Sequence, residues 1–222
     1  MAPARLEKET GQQPQGCGLI WSRRKVIALT AAIAVVGPRE ALASDEVVGV
    51  VMTTASGSVE MAIEVGKAPL SAKQFLAYVD SKAFDGALFH RSVHSDRDPA
   101  PVKIEILQAA VRHDARMGPI EHEPTILTGL RHLDGTISVA RREVGTGNAG
   151  DFFICIGDQP ELDYRGLRNA DGEGFAAFGR VTQGMEVIRK IWSGKTVASK
   201  LAPQVADRLV SPITIVSIRR HM

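Results

Sequence analysis

Residues 88–94 read LFHRSVH. The run is apolar and strand-like, yet it carries a guanidinium and two imidazoles. Four chemistries compete for it: a metal site, an acid–base pair, a nucleic-acid contact, or a lone arginine serving a reaction without proton transfer. Read as a strand, it joins seven other short β-type runs: VVGVVMTT (47–54), SVEMAIEV (58–65), KIEILQAAV (103–111), GTISVA (135–140), DFFICIG (151–157), FAAFGRV (175–181) and PITIVSI (212–218). The first two are joined by Ala55, Ser56 and Gly57, a hairpin-length turn containing glycine.

Only two segments carry helical spacing. Pro69 suits a first helical position, and Ala72, Phe75, Leu76 and Val79 follow at i, i+3, i+4 and i+7. After Gly184, Met185, Ile188 and Ile191 recur at similar spacing. A parallel α/β fold needs a helix between most strands. Eight strands with two distant helices instead predict a mainly β fold: a closed eight-stranded antiparallel barrel capped by two helices, with closure removing exposed strand edges. No repeat or linker divides the chain after residue 43.

The first 43 residues read as an address. A polar leader runs into Ser22-Arg23-Arg24-Lys25, then VIALTAAIAVV (26–36), then Ala41-Leu42-Ala43 before Ser44. That order is a basic region, a short apolar core and an A-x-A cleavage site. The paired arginines point to the twin-arginine export route. Eleven apolar residues are too few to span a hydrocarbon layer of about 30 Å, so no permanent membrane anchor is expected. The expected domains are a signal peptide at 1–43 and one folded domain at 44–222, periplasmic or secreted in a bacterium.

The leader holds six of the 27 basic and three of the 25 acidic residues, so 21 and 22 remain beyond it, formally −1. A near-neutral domain lacks the electrostatic footprint of nucleic-acid binding. It also gives no reason to expect more than a monomer. Past the leader Cys155 is the only cysteine, inside the apolar FFICIG, where a buried inert thiol is expected. Cys17 lies upstream of the leader's apolar core, where a lipoprotein cysteine would not be.

No metal and no cofactor are expected. In a regular strand His90 and His94 share a face about 13 Å apart, too far to share an ion, and Glu121-His122-Glu123 lacks the paired spacing of a zinc site. There is no G-x-S-x-G elbow, and Asp151 and Asp163 have no obvious partner base. GTGNAG (145–150) precedes a strand rather than a helix, so it reads as a flexible binding loop rather than a phosphate cradle.

Six blocks in order carry a family resemblance: GSVEMAIEVGKAPLSAKQFLAYV (57–79), FDGALFHR (84–91), ILQ (106–108), DGTISVARR (134–142), DFFICIGDQPELD (151–163) and FAAFGRVTQGMEVIRKI (175–191). Together they resemble the cyclophilin-type peptidyl-prolyl isomerases. The resemblance implies a groove on the outer barrel wall that takes an extended, proline-containing polypeptide segment. It also implies roles: Arg91 as the catalytic arginine, Gln108 holding the substrate backbone and the arginine, Phe153 and Leu162 lining the proline pocket, and Ala140 beside the bound chain.

Departures from the family pattern accompany the matches. Sixteen residues separate Arg91 from Gln108, more than the family usually has, and they include the polar SDRDPAP (95–101). Counting back from Gln108 puts Glu105 where the family has a pocket phenylalanine and Ile106 where it has a methionine. Ala109 and Ala110 replace glycines, Asp151 replaces a glutamine-like residue, and Glu161 replaces an aromatic. A second insertion, YRGLRNADGEG (164–174), follows Asp163. A carboxylate of Glu105 or Asp151 near Arg91 could hold it in a salt bridge away from substrate. The expected function is therefore isomerisation of X-Pro bonds in exported or envelope proteins, assisting their folding. The alternative is a proline-peptide binding module or holdase with little turnover.

Overall fold

A computed structural model describes residues 46–197 and 207–221. The expected leader at 1–43, with its cleavage site, lies outside the described residues. β-Branched alternation produces β1 (Val47–Thr54) and β2 (Gly57–Glu64), joined by the two-residue turn Ala55-Ser56. There follow α1 (Pro69–Asp80), β3 (Leu88–Val93), β4 (Ile106–Ala110), α2 (Thr125–Thr128), β5 (Thr136–Val139), β6 (Asp151–Cys155), β7 (Ala176–Gln183), α3 (Met185–Trp192) and β8 (Arg208–Arg220). The strands close in the order β1-β2-β7-β5-β6-β4-β3-β8, each pair antiparallel. The barrel and both predicted helices are present. The four-residue α2 was not foreseen, because one turn is too short to show a period. Among the described residues no helix is long and apolar enough to cross a membrane.

Alternation sends one residue of each pair inward. Phe89, Leu107, Ala109, Phe152 and Ile154 join the main core with Met52, Met61 and Ile218. α1 closes the barrel by inserting Phe75 among Phe84, Phe178 and Phe152, with ring centroids 5.0, 5.2 and 5.6 Å away. Residue Ala68 offers no side-chain cap to α1. The carboxylate of Glu123, 52 residues beyond Ser71, takes that role: it accepts Leu70 N–H at 3.0 Å, Ser71 N–H at 2.8 Å and Ser71 Oγ–H at 2.7 Å. A buried anion there satisfies orphan N–H donors and opposes the positive end of the helix dipole.

One irregularity in β3 sets the orientation of Arg91. Phe89 pairs with Ala109, and Arg91 pairs with Gln108, so His90 is an extra residue in β3. Strict alternation would put Phe89 and Arg91 on one face, burying the charge. The bulge shifts the phase by one, leaving Phe89 inside and Arg91 and Val93 on the outer wall. The shift also corrects the expectation that His90 and His94 share a face. His90 lines an outer groove, whereas His94 turns toward α3 and stacks on Trp192 at 4.0 Å.

Candidate active site

The strand register lays out one row of side chains on the outer wall. Arg208 of β8 stands opposite Arg91 of β3, Arg91 opposite Gln108 of β4, Gln108 opposite Phe153 of β6, and Phe153 opposite Ser138 of β5. A groove of about 960 Å³ runs over this wall. Of the residues expected at the site, Arg91, Gln108, Phe153, Leu162, Ile106, Ala140 and Asp151 all line it. Glu105 and Glu161 do not.

Arg91 is held loosely. Its Nη1 donates to Gln108 Oε1 at 3.4 Å, and its Nη2 lies 3.6 Å from Asp207 Oδ2. The Gln108 amide is oriented from its other side, since Nε2 donates to Asp151 Oδ1 at 2.9 Å while Asp151 Oδ2 accepts Arg116 at 2.7 Å. Asp151 is thus spent on Gln108 and Arg116 rather than on Arg91. The carboxylate paired with Arg91 is Asp207, 116 positions away in sequence, which no local pattern could have revealed. Burial pushes the Asp207 carboxyl above its usual range, opposed by the Arg91 guanidinium. The Arg91 side chain keeps 34% of its surface exposed, so donors remain available on the groove side.

Beside it lies an apolar pocket. Val93, Ile104, Ile106, Phe153, Cys155 and Leu162 form a second hydrophobic cluster distinct from the barrel core, with Ala140 and Phe175 packed against it. Phe152 and Phe153 divide as alternation requires, one into the core and the other into this cluster. The ring of Phe153 meets that of Phe175 edge-on at 5.3 Å. Ile104 and Phe175 were missed by counting blocks, although the period of two along Ile104, Ile106 and Gln108 already put Glu105 on the opposite face. Its carboxylate accepts Ser95 Oγ–H at 2.6 Å, away from Arg91. Glu161 turns into its own loop and accepts Leu167 N–H at 2.9 Å. The Cys155 thiol is pushed well up by burial and is inert.

The two insertions meet at the groove edge. Arg168 donates to Asp98 Oδ2 at 2.5 Å and to the Val102 carbonyl at 2.5 Å, with Asp98 almost fully buried. Phe175 N–H to Leu162 O at 2.9 Å closes the second insertion into a loop. Gly174 makes that closure possible: its φ is +63°, and a Cβ there would lie 2.5 Å from the Asp163 carbonyl carbon. GTGNAG is anchored at its far end, because Asn148 accepts Tyr78 Oη–H at 2.7 Å and donates to the Met117 carbonyl at 2.6 Å.

Asp163 does have a base. Its Oδ1 lies 2.7 Å from His132 Nδ1, and His132 Nε2 lies 2.9 Å from Ser138 Oγ. This resembles a hydrolase triad, but His132 and Ser138 are buried to 1% and 0% exposure, so no substrate reaches the hydroxyl. The imidazole stacks on Phe153 at 6.0 Å and serves as a strut behind the pocket. Burial lowers the pKa of His90, with Asp151 opposing the shift, and keeps the imidazole beside Arg91 neutral. Among the described residues no group of three or more His, Cys, Asp or Glu is placed to hold a metal ion.

Fold and site together define a class: a closed eight-stranded barrel whose outer wall carries a partly exposed arginine beside an aromatic-lined apolar pocket. Residues 49–220 match the family described as cyclophilin type peptidyl-prolyl cis-trans isomerase/CLD, and the chain belongs to that family. It is similar to peptidyl-prolyl cis-trans isomerase A of Dickeya dadantii, with 34% identity over 170 residues covering 77% of this chain and 84% of the relative. It is also similar to peptidyl-prolyl cis-trans isomerase B of Escherichia coli, with 26% identity over 67% of this chain and 88% of the relative. A Cryptosporidium parvum cyclophilin-type isomerase crystallised in the presence of the dipeptide Ala-Pro superimposes with a TM-score of 0.60. That match covers 78% of this chain and 99% of the other at 19% identity, a likeness of fold.

Proposed function

We propose that this chain accelerates rotation about X-Pro bonds in exported or envelope polypeptides and so assists their folding, acting as a monomeric domain of residues 44–222 after removal of the leader. In this reading Arg91 is the catalytic residue, Gln108 positions it and the substrate backbone, and Phe153, Ile106 and Leu162 hold the proline ring. Ala140 leaves room for the passing chain.

The barrier to X-Pro rotation is lost amide conjugation, about 18–20 kcal/mol for peptide bonds. A quarter turn returns the lone pair to nitrogen, which then accepts a hydrogen bond that the planar amide cannot. A donor aimed at that nitrogen stabilises the transition state selectively. Arginine stays charged at any working pH and presents several fixed donors, so the reaction needs neither base nor metal.

The observation carrying this reading is the partly exposed Arg91 guanidinium, steadied by Gln108 and Asp207 on one wall with the Phe153 pocket. It also draws on the family's isomerases and on the neighbour crystallised in the presence of Ala-Pro. The test is magnetisation exchange on an X-Pro peptide, paired with a binding titration, for wild type and Arg91→Ala. A wild type that binds but turns over no faster than the variant refutes catalysis and leaves a docking module. Export is tested separately: the protein recovered from outside the cytoplasm should begin at Ser44, and an intact N-terminus there refutes cleavage.

A further inference from the structure

Six arginines line the groove: Arg91, Arg116, Arg141, Arg142, Arg168 and Arg208. Three hold carboxylates. Arg116 holds Asp151 at 2.7 Å, Arg141 grips both oxygens of Asp171 at 2.8 and 2.9 Å, and Arg168 holds Asp98 at 2.5 Å. Arg91 has Asp207, leaving Arg142 and Arg208. Among the described residues neither of those two side chains has a hydrogen-bond or ion-pair partner, and Arg208 is the one that pairs across the strands with Arg91.

Its position makes the surplus consequential. Arg208 stands directly opposite Arg91 across β3 and β8, both facing the groove. Like charges facing each other across neighbouring strands repel. The nearby Asp207 points its carboxylate at Arg91, and Asp98 is taken by Arg168. Among the described residues no carboxylate pairs with Arg208, so its exposed guanidinium is open to a carboxylate on a bound segment.

We infer that Arg208 is a specificity-determining residue, and that the groove prefers X-Pro segments carrying an aspartate or glutamate within two residues of the proline. The inference rests on the isomerase reading above. The Phe153 pocket lies on the Gln108 side of Arg91, and Arg208 lies on the other side. Neighbouring strands are about 4.8 Å apart and an extended peptide advances about 3.3 Å per residue. A segment whose prolyl nitrogen meets Arg91, and which runs across the strands away from the pocket, passes Arg208 one or two residues further on.

The experiment uses the full chain and peptides identical except for Glu, Gln or Lys at each of the two positions before and after proline. Magnetisation exchange gives kcat/KM at low salt and in about 0.5 M salt. At one position Glu should exceed Gln by roughly two- to fivefold, as for a solvent-exposed ion pair, and Lys should fall below Gln. Salt should compress the difference. Arg208→Gln should bring the Glu-to-Gln ratio to one, Arg208→Lys should keep it, and Arg208→Glu should invert it. Equal rates for Glu and Gln at all four positions overturn the inference alone, as does a ratio that survives in Arg208→Gln. No turnover of any peptide overturns the isomerase reading, and the inference with it.

Discussion

Replacing Arg91 by lysine asks whether the site works by charge or by shape. The guanidinium carries five N–H donors. One is directed at Gln108 Oε1 across 3.4 Å and another faces Asp207 Oδ2 across 3.6 Å, both long contacts, so the fork is steadied while donors stay free for a twisted prolyl nitrogen. Lysine keeps the charge but has one nitrogen, which cannot meet Gln108, Asp207 and substrate together. A hydrogen bond to a charged group contributes about 1.5–3 kcal/mol, and here only in the transition state. At about 1.36 kcal/mol per decade, Arg91→Ala should lower kcat/KM by roughly 10- to 150-fold. Arg91→Lys, keeping charge without the fork, should lie between, at about three- to tenfold. The loss should fall on kcat, because the planar ground-state amide offers its nitrogen nothing to bond. Removing the cation also leaves Asp207 buried alone, so Arg91→Ala should melt lower. The double variant Arg91→Ala/Asp207→Asn should regain that stability without regaining rate. Magnetisation exchange and thermal melts read both quantities. An alanine variant within twofold of wild type, or a loss confined to KM, would refute the donor mechanism.

Glu123→Gln should weaken the cap on α1 by about 1.5–3 kcal/mol, since an amide cannot accept from all three donors. For a domain of this size that lowers Tm by about 3–12 °C, and an unchanged melt would discount the remote cap. His90 and His94 are both held below the ordinary imidazole pKa, chiefly by burial. As pH falls below about 6.5 the unfolded chain takes up protons that the folded chain refuses, so their stability contribution is present above that pH and lost below it. Melts from pH 7.5 to 5 should show the decline, and His94→Gln should flatten it. Asp207, with its carboxyl raised by burial, acts with the opposite sign at lower pH. Arg168→Ala should unfasten the two insertions and speed amide exchange at Ile104 and Phe175, whose N–H groups bond Asp98 Oδ2 and Leu162 O; unchanged exchange there would show that the clasp does not hold the groove edge.

What the sequence made legible was whatever repeats locally. Alternation located β1 and β2 to within a residue, the Phe75 stripe located α1, and the adjacent pair Phe152 and Phe153 divided between core and groove as a period of two demands. What stayed hidden were contacts between residues far apart in the chain: Asp207 against Arg91, Asp98 against Arg168, Glu123 under α1 and His132 between Asp163 and Ser138. Two other misreadings concern phase, and they run in opposite directions. Along the run from Ile104 into β4, the period of two was correct and the count against family blocks was not: Ile104 and Ile106 share the groove face with Gln108, and Glu105 faces away. In β3 the period of two misleads, because one bulged residue reverses it between Phe89 and Arg91. Nothing in the composition of LFHRSVH announces that reversal, yet its alternative is costly: a regular strand in this register would drive a guanidinium into the core occupied by Phe89 and Phe152. A charged residue two places from a core aromatic in one short strand is therefore itself an argument for a bulge. Applied to LFHRSVH, that rule puts the irregularity between Phe89 and Arg91, the place where the groove needs its arginine turned outward.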